Sequence, residues 1–165
     1  MTTPAPPQEA PYRHRCRVLY GDTDSGGVVY YAGYLRYFEA ARTEFMRERV
    51  AAYREIAKGG LIMPVVECHA RYKAPARYDD LLLVETSLCE VRDFSCRFDY
   101  RIVREEDGRI LVLGYTVHTA VDARGKLQRF PVELLALLRK TSRKDLRGAL
   151  KNSRLPCGAR TPRHF

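Results

Sequence analysis

Polar and apolar residues alternate in the first regular segment of the chain. From Tyr12 to Leu19, Arg13, Arg15 and Arg17 alternate with His14, Cys16 and Val18. A period of two is typical of a strand with one exposed face. The pattern therefore predicts a β-strand over 12–19.

The period lengthens to three or four residues between Tyr34 and Val50. Five apolar residues recur at this spacing: Leu35, Phe38, Ala41, Phe45 and Met46. They would share one face of a helix, which at about 1.5 Å per residue spans roughly 25 Å and can cross a sheet. A second, short helix is predicted over 54–58, ended by the glycine pair Gly59–Gly60.

Strand patterns return in the second half of the chain. Four candidate strands cover 61–72, 80–91, 95–104 and 109–122, and a short terminal helix is predicted over 131–140. A strand, a long helix and four successive strands favour an α+β protein with an antiparallel sheet. A long helix wrapped by a five-stranded antiparallel sheet is the hotdog fold. A ferredoxin-like fold is the alternative, but it needs a second long helix between later strands, and no such pattern is present.

Length and composition indicate one domain. The chain has 165 residues, 45% of them apolar, which suffices for one ordinary core. Four prolines predict a flexible leader over 1–11, followed by the domain over 12–140. No stretch of about 18 apolar residues and no signal-peptide pattern occurs, so we expect a cytoplasmic protein without a membrane span. The five cysteines lack CxxC spacing and are expected to be reduced and mostly buried.

The positive charge is concentrated at the C-terminus. The net charge is +9, and the segment 141–165 holds seven Lys or Arg and one Asp. This segment is predicted to be a disordered basic tail, whereas basic and acidic residues are interleaved in the body. Nucleic-acid binding by the folded body is not expected. An interaction module that works through the tail is one alternative function.

The segment before the long helix carries the candidate chemistry. The loop Gly21–Gly27 contains Asp22 and Asp24, together with glycines that let a substrate approach the backbone. A helix start offers free N–H groups that can stabilise an oxyanion, and a nearby carboxylate can act as base or nucleophile. However, Asp, Thr and Ser are also common helix caps and turn formers, so this pattern alone leaves both interpretations open.

Two longer motifs resemble a known family. The run from Gly21 to Tyr30 with Tyr34–Glu44, and the downstream run from Arg71 to Thr86, resemble the 4-hydroxybenzoyl-CoA thioesterase family, especially its YbgC-type acyl-CoA thioesterases. The resemblance covers about 12–140. It implies an acyl-CoA thioesterase that uses no metal or redox cofactor.

The resemblance also implies roles for individual residues. Asp24 matches the catalytic carboxylate, and Tyr31 the position whose N–H faces the thioester oxygen. Gly27, Val28 and Tyr30 are implied substrate contacts; Ser95 would approach the thioester from a neighbouring subunit, and Arg92 the CoA phosphates. The chain departs from the YbgC-type pattern at Tyr31, usually histidine, and Gly33, usually asparagine. Asp93 and Phe94 depart from basic residues of the hydroxybenzoyl branch.

The resemblance implies a homo-oligomer, either a tetramer or a dimer, whose pairing would cover an exposed sheet edge. Two alternatives within the same fold are a non-catalytic acyl-CoA-binding protein, which would not need Asp24, and a dehydratase. A dehydratase needs a histidine in the site, and 21–33 has none. His14, His69 and His118 lack partners at metal-ligand spacing and are expected to be structural.

Overall fold

The computed structural model describes residues 11–142. Its strands are β1 (Tyr12–Arg17), β2 (Val65–Tyr72), β3 (Leu81–Val91), β4 (Ser95–Arg104) and β5 (Ile110–Thr119). Its helices are α1 (Tyr34–Arg49), α2 (Tyr53–Lys58) and α3 (Val132–Thr141), with 3₁₀ turns at Tyr20–Asp22 and Tyr31–Gly33. The leader predicted over 1–11 and the tail predicted over 141–165 lie almost entirely outside the described residues.

The five strands form one antiparallel sheet in the order β1-β3-β4-β5-β2. Strand β4 lies at its centre and pairs over nearly its whole length with β5, from Ser95 opposite Thr119 to Val103 opposite Ile110. Strands β1 and β2 form the two edges. No second long helix interrupts the strands in the described chain, so the hotdog prediction is confirmed and the ferredoxin-like alternative is wrong.

Helix α1 packs against one face of the sheet. Phe38 stacks on Tyr100 of β4 with ring centroids 4.3 Å apart, and Phe45 meets Phe98 edge to face. Gly114 of β5 makes this approach possible, because a Cβ there would lie 2.8 Å from the Phe38 ring. The predicted helical face is confirmed for Phe38, Ala41, Phe45 and Met46, but Leu35 is 40% exposed.

Arginines on the opposite face of the sheet are neutralised by neighbouring acids. Glu85 is almost fully buried and bonds both Arg13 and Arg101, while Arg97 bonds Asp99. Within the described chain the body thus shows the predicted interleaving of charges, and these arginines do not form an unpaired basic surface. None of the helices within residues 11–142 has the length and apolar character needed to span a membrane.

Four predictions about local structure need correction, one of them the end of β5, which lies at Thr119 and not at residue 122. The first strand ends at Arg17, and β2 begins at Val65 because Pro64 has no N–H to donate to a ladder. The described cysteines are all free thiols, but only Cys96 is buried, and Cys68 is exposed on the edge strand β2.

Candidate functional site

The segment between β1 and α1 folds as a small hairpin. Thr23 lies opposite Val29 in an isolated bridge, and the Asp24 N–H donates to the Val28 carbonyl at 2.9 Å. Gly27 closes the three-residue turn with φ 72°, which is unfavourable for any residue with a side chain. The hairpin therefore holds Asp24, Gly27 and Val28 close together.

Asp24 is exposed and serves first as a turn former. Its Oδ1 accepts the Gly26 N–H at 2.8 Å, a usual role for aspartate at the start of a turn. It does not cap the helix, since α1 has Gly33 at its N-cap and no side-chain cap bond. A side chain at Gly26 would place its Cβ 3.0 Å from Oδ1. No other hydrogen bond to this carboxylate occurs in the described chain, so its second oxygen faces solvent.

Tyr31 begins the 3₁₀ turn that leads directly into α1. Its N–H has no acceptor within the turn, and the backbone hydrogen bonds of the described loop include none that it donates. Its carbonyl accepts the hydroxyl of Tyr72 at 2.9 Å, which ties the helix start to β2. A free N–H at a helix start is a suitable donor to an oxyanion.

Tyrosine side chains surround this helix start. Tyr30 and Tyr31 are both largely exposed, and their ring centroids lie 4.6 Å apart. The neighbouring Tyr31 side chain raises the pKa of Tyr30. The hairpin thus brings five of the seven predicted site residues together: Asp24, Gly27, Val28, Tyr30 and Tyr31.

The other two predicted residues lie at the opposite end of the sheet. Ser95 begins β4, whereas the Asp24 hairpin follows the end of β1, which aligns with the far end of β4. Ten residues of strand separate these ends, about 30 Å. Ser95 and Arg92 line a depression of about 310 Å³ together with Glu67, Glu90 and Arg97. Within one chain, therefore, neither residue can reach Asp24.

Two residues near the hairpin were not assigned a role from sequence. Tyr72 is one, and no sequence signal distinguishes it from other strand tyrosines. Asp22 is the other: its carboxylate accepts the Tyr37 hydroxyl at 2.8 Å and the Leu19 N–H at 2.9 Å. The paired aspartates were a visible signal, but spacing alone did not tell their surroundings apart.

Two histidines of the described strands make structural contacts. His118 is buried, with its ring nitrogens 2.9 Å from Thr116 Oγ1 and 3.1 Å from the Met63 carbonyl. His69 stacks on Tyr115. Among residues 11–142 no group of three or more His, Cys, Asp or Glu side chains is arranged to hold a metal ion.

Comparison with known proteins identifies the family. The sequence model of the thioesterase-like superfamily matches residues 18–138. The chain belongs to this superfamily. An acyl-CoA thioesterase YbgC of Haemophilus influenzae is 38% identical to this thioesterase-like chain over 123 residues, 73% of the chain and 88% of the relative.

Solved structures agree with the family. The hypothetical protein TT1821 of Thermus thermophilus has a TM-score of 0.74 at 33% identity, covering 79% of the thioesterase-like chain and 98% of the other. The gentisyl-coenzyme A thioesterase BH1999 has a TM-score of 0.68 at 25% identity, covering 73% and 97%.

Proposed function

We propose that this thioesterase-like protein hydrolyses acyl-CoA thioesters to a free acid and CoA, with Asp24 as the catalytic carboxylate. The observation that carries the proposal is the hairpin, which holds an exposed carboxylate next to a helix start with a free N–H. The similarity to acyl-CoA thioesterases supports CoA as the thiol.

Two routes use the same groups. Asp24 removes a proton from a water molecule that adds to the thioester carbonyl carbon, or its carboxylate adds directly to form an anhydride that water then hydrolyses. In both routes the carbonyl oxygen becomes an anion, which the Tyr31 N–H stabilises. The C–S bond then breaks, and CoA leaves as a thiolate that takes up a proton. Gly27, Val28 and Tyr30 contact the substrate beside these groups.

The oligomer is part of this proposal. Strand β2 is an edge strand with exposed apolar side chains, including Val65 and Val66. A two-fold axis perpendicular to the sheet at this edge would pair β2 antiparallel with its copy, bringing the Ser95 end of one subunit beside the Asp24 end of the other. Arg92 and Ser95 would then act across the interface, on the CoA phosphates and near the thioester. We propose a cytoplasmic homotetramer built from such dimers, or the dimer itself.

Thiol release from acetyl-, hexanoyl-, palmitoyl- and benzoyl-CoA tests the function. We expect wild-type turnover of at least one thioester, and a fall in kcat of about 10²- to 10⁴-fold in Asp24→Asn, because general-base catalysis has this magnitude. Circular dichroism should show an unchanged fold.

The matched control is Asp107→Asn. Asp107 accepts the N–H of the residue two positions later, as Asp24 does, but in a turn between β4 and β5. The Asp107→Asn variant should retain wild-type kcat. Equal rates for Asp24→Asn and wild type would remove Asp24 from the mechanism. Absence of turnover, with tight binding of a hexanoyl-CoA thioether, would favour the non-catalytic acyl-CoA-binding alternative.

A further inference from the structure

Asp22 lies two residues before Asp24 but has opposite surroundings. Its side chain is only 11% exposed, whereas Asp24 faces solvent. Burying a carboxylate is costly unless hydrogen bonds compensate. Asp22 Oδ2 receives two, from the Tyr37 hydroxyl at 2.8 Å and the Leu19 N–H at 2.9 Å, and Oδ1 lies 3.7 Å from Arg36.

The backbone of Asp22 is also fully used. Its N–H donates to the Leu19 carbonyl at 3.0 Å, and its carbonyl accepts the Tyr30 N–H at 2.9 Å. The second bond crosses the hairpin immediately before Tyr31. One residue therefore joins the end of β1, the returning arm of the hairpin and, through Tyr37, the first turns of α1.

These bonds lie between the Asp24 carboxylate and the Tyr31 N–H, whose separation must be fixed for the proposed chemistry. Asp24 lies on the outgoing arm of the hairpin, and the Tyr31 N–H follows directly after the returning arm. A displacement of about 1 Å between reacting groups can lower a rate by about 10²-fold. Asp22 and Tyr37 are placed where loss of one bond would loosen this separation without removing a reacting group.

We propose that Asp22, held by Tyr37, is a positioning residue that fixes the Asp24 carboxylate relative to the Tyr31 N–H. This inference rests on the proposed function of Asp24 and extends it to a residue that does not touch the substrate. The charge-assisted bond from Tyr37 makes the link stronger than a neutral hydrogen bond would be. Burial, followed by this bond, raises the pKa of Tyr37.

The test compares Tyr37→Phe with Tyr12→Phe. Both tyrosines are 8% exposed, and each forms a hydrogen bond between α1 and a neighbouring segment. The Tyr37 hydroxyl of α1 donates to Asp22, and the Tyr12 hydroxyl donates to Glu48 of α1 at 3.1 Å. Each variant loses one hydroxyl and keeps its ring. With the best thioester of the panel, we expect Tyr37→Phe to lower kcat by about 10- to 100-fold with KM within about twofold. Tyr12→Phe should lower the melting temperature about as much as Tyr37→Phe does, but should leave kcat unchanged.

Hydrogen exchange at the amides of Asp24 and Tyr30 gives a readout independent of turnover. Both amides donate across the hairpin, and they should exchange faster in Tyr37→Phe but not in Tyr12→Phe. Unchanged exchange in Tyr37→Phe would overturn the inference, even if the wild type hydrolysed none of the thioesters. Wild-type kcat in Tyr37→Phe beside an inactive Asp24→Asn would overturn it while leaving the proposed function intact.

Discussion

The distance between α1 and the sheet depends on a residue without a side chain. Gly114 lies beneath Phe38, which in turn stacks on Tyr100. A methyl group at 114 would lie 2.8 Å from the Phe38 ring and 2.5 Å from the His69 carbonyl, well inside normal contact distance. The Phe38 ring is held against Tyr100, and the His69 carbonyl belongs to the strand paired with β5, so a Cβ at 114 would displace α1 or β2.

Gly114→Ala should therefore destabilise the protein. Overpacking a core by one methyl group costs about 1 to 3 kcal/mol. Urea unfolding monitored by circular dichroism measures the loss of unfolding free energy. Gly21→Ala is the control, because a Cβ at Gly21 meets nothing within 4 Å. A Gly114→Ala protein as stable as Gly21→Ala would contradict the close approach of Phe38.

His118 makes stability depend on pH. Burial lowers its pKa from 6.5 to about 4. The unfolded chain binds the proton below pH 6.5, while the folded protein does not until about pH 4, so stability is lost as the pH falls through this window. From pH 7 to pH 5 we expect a loss of about 2 kcal/mol from this group, since each pKa unit corresponds to about 1.4 kcal/mol.

A His118→Gln variant isolates this contribution. Glutamine does not titrate, so the carboxylates and other groups account for all of its remaining pH dependence. The difference in unfolding free energy between pH 7 and pH 5, measured by urea titration, should be about 2 kcal/mol smaller in the variant than in the wild type. Equal pH dependence in the two proteins would show that His118 is protonated in the folded state as readily as in water.

Among the elements, the central strand β4 was easier to predict than the edge strand β2. In β4 the buried residues Cys96, Phe98, Tyr100 and Ile102 alternate with polar ones, and its predicted bounds agree with the structure. Strand β2 is exposed at seven of eight positions, so its pattern does not mark where the strand begins. The observed start at Val65 is explained by Pro64, which precedes it. Periodicity reports burial by the chain itself, which β2 lacks, whereas the other edge strand, β1, keeps an alternating pattern.

The candidate site also has a part that could be predicted from sequence and a part that could not. Asp24 and Tyr31 were predicted together because both lie in one short segment. Their separation from Ser95 and Arg92 follows from strand register, which spacing along the sequence does not reveal. The partners of Asp22 were likewise not predictable, because Tyr37 meets it only once α1 is packed on the sheet.

The exposed edge of β2 makes a prediction about assembly. Val66 is 60% exposed there, and a lysine would place a charge in any interface along this edge. Light scattering should give the wild type a multiple of 19.0 kDa and shift Val66→Lys toward the monomer mass, with loss of thiol release. Val132→Lys on α3, where Val132 is 83% exposed, should change neither property. A wild-type monomer that hydrolyses thioesters would contradict cross-subunit roles for Arg92 and Ser95.

For the whole molecule, the charge is concentrated beyond the last described residue. Most of the net charge of +9 lies in the segment from Arg143 onward, outside the described residues. Helix α3 extends to Thr141, one residue beyond its predicted end, and Thr141 Oγ1 donates to the Arg49 carbonyl at 3.2 Å. The folded unit thus includes Thr141, and a boundary at residue 140 would remove a contact between α3 and the end of α1.

Truncation on either side of α3 tests this boundary and the tail hypothesis together. A chain that ends at Ser142 should keep thiol release and its melting temperature, because Asp24, Tyr31 and the described core are intact. A chain that ends at Phe130 loses the buried side chains of Leu134 and Leu138, each worth about 1.5 to 3 kcal/mol, and should melt at a lower temperature. If the chain that ends at Ser142 loses hydrolysis while its melting temperature is unchanged, the basic segment takes part in the reaction. This result would favour the alternative of an interaction module that works through the tail.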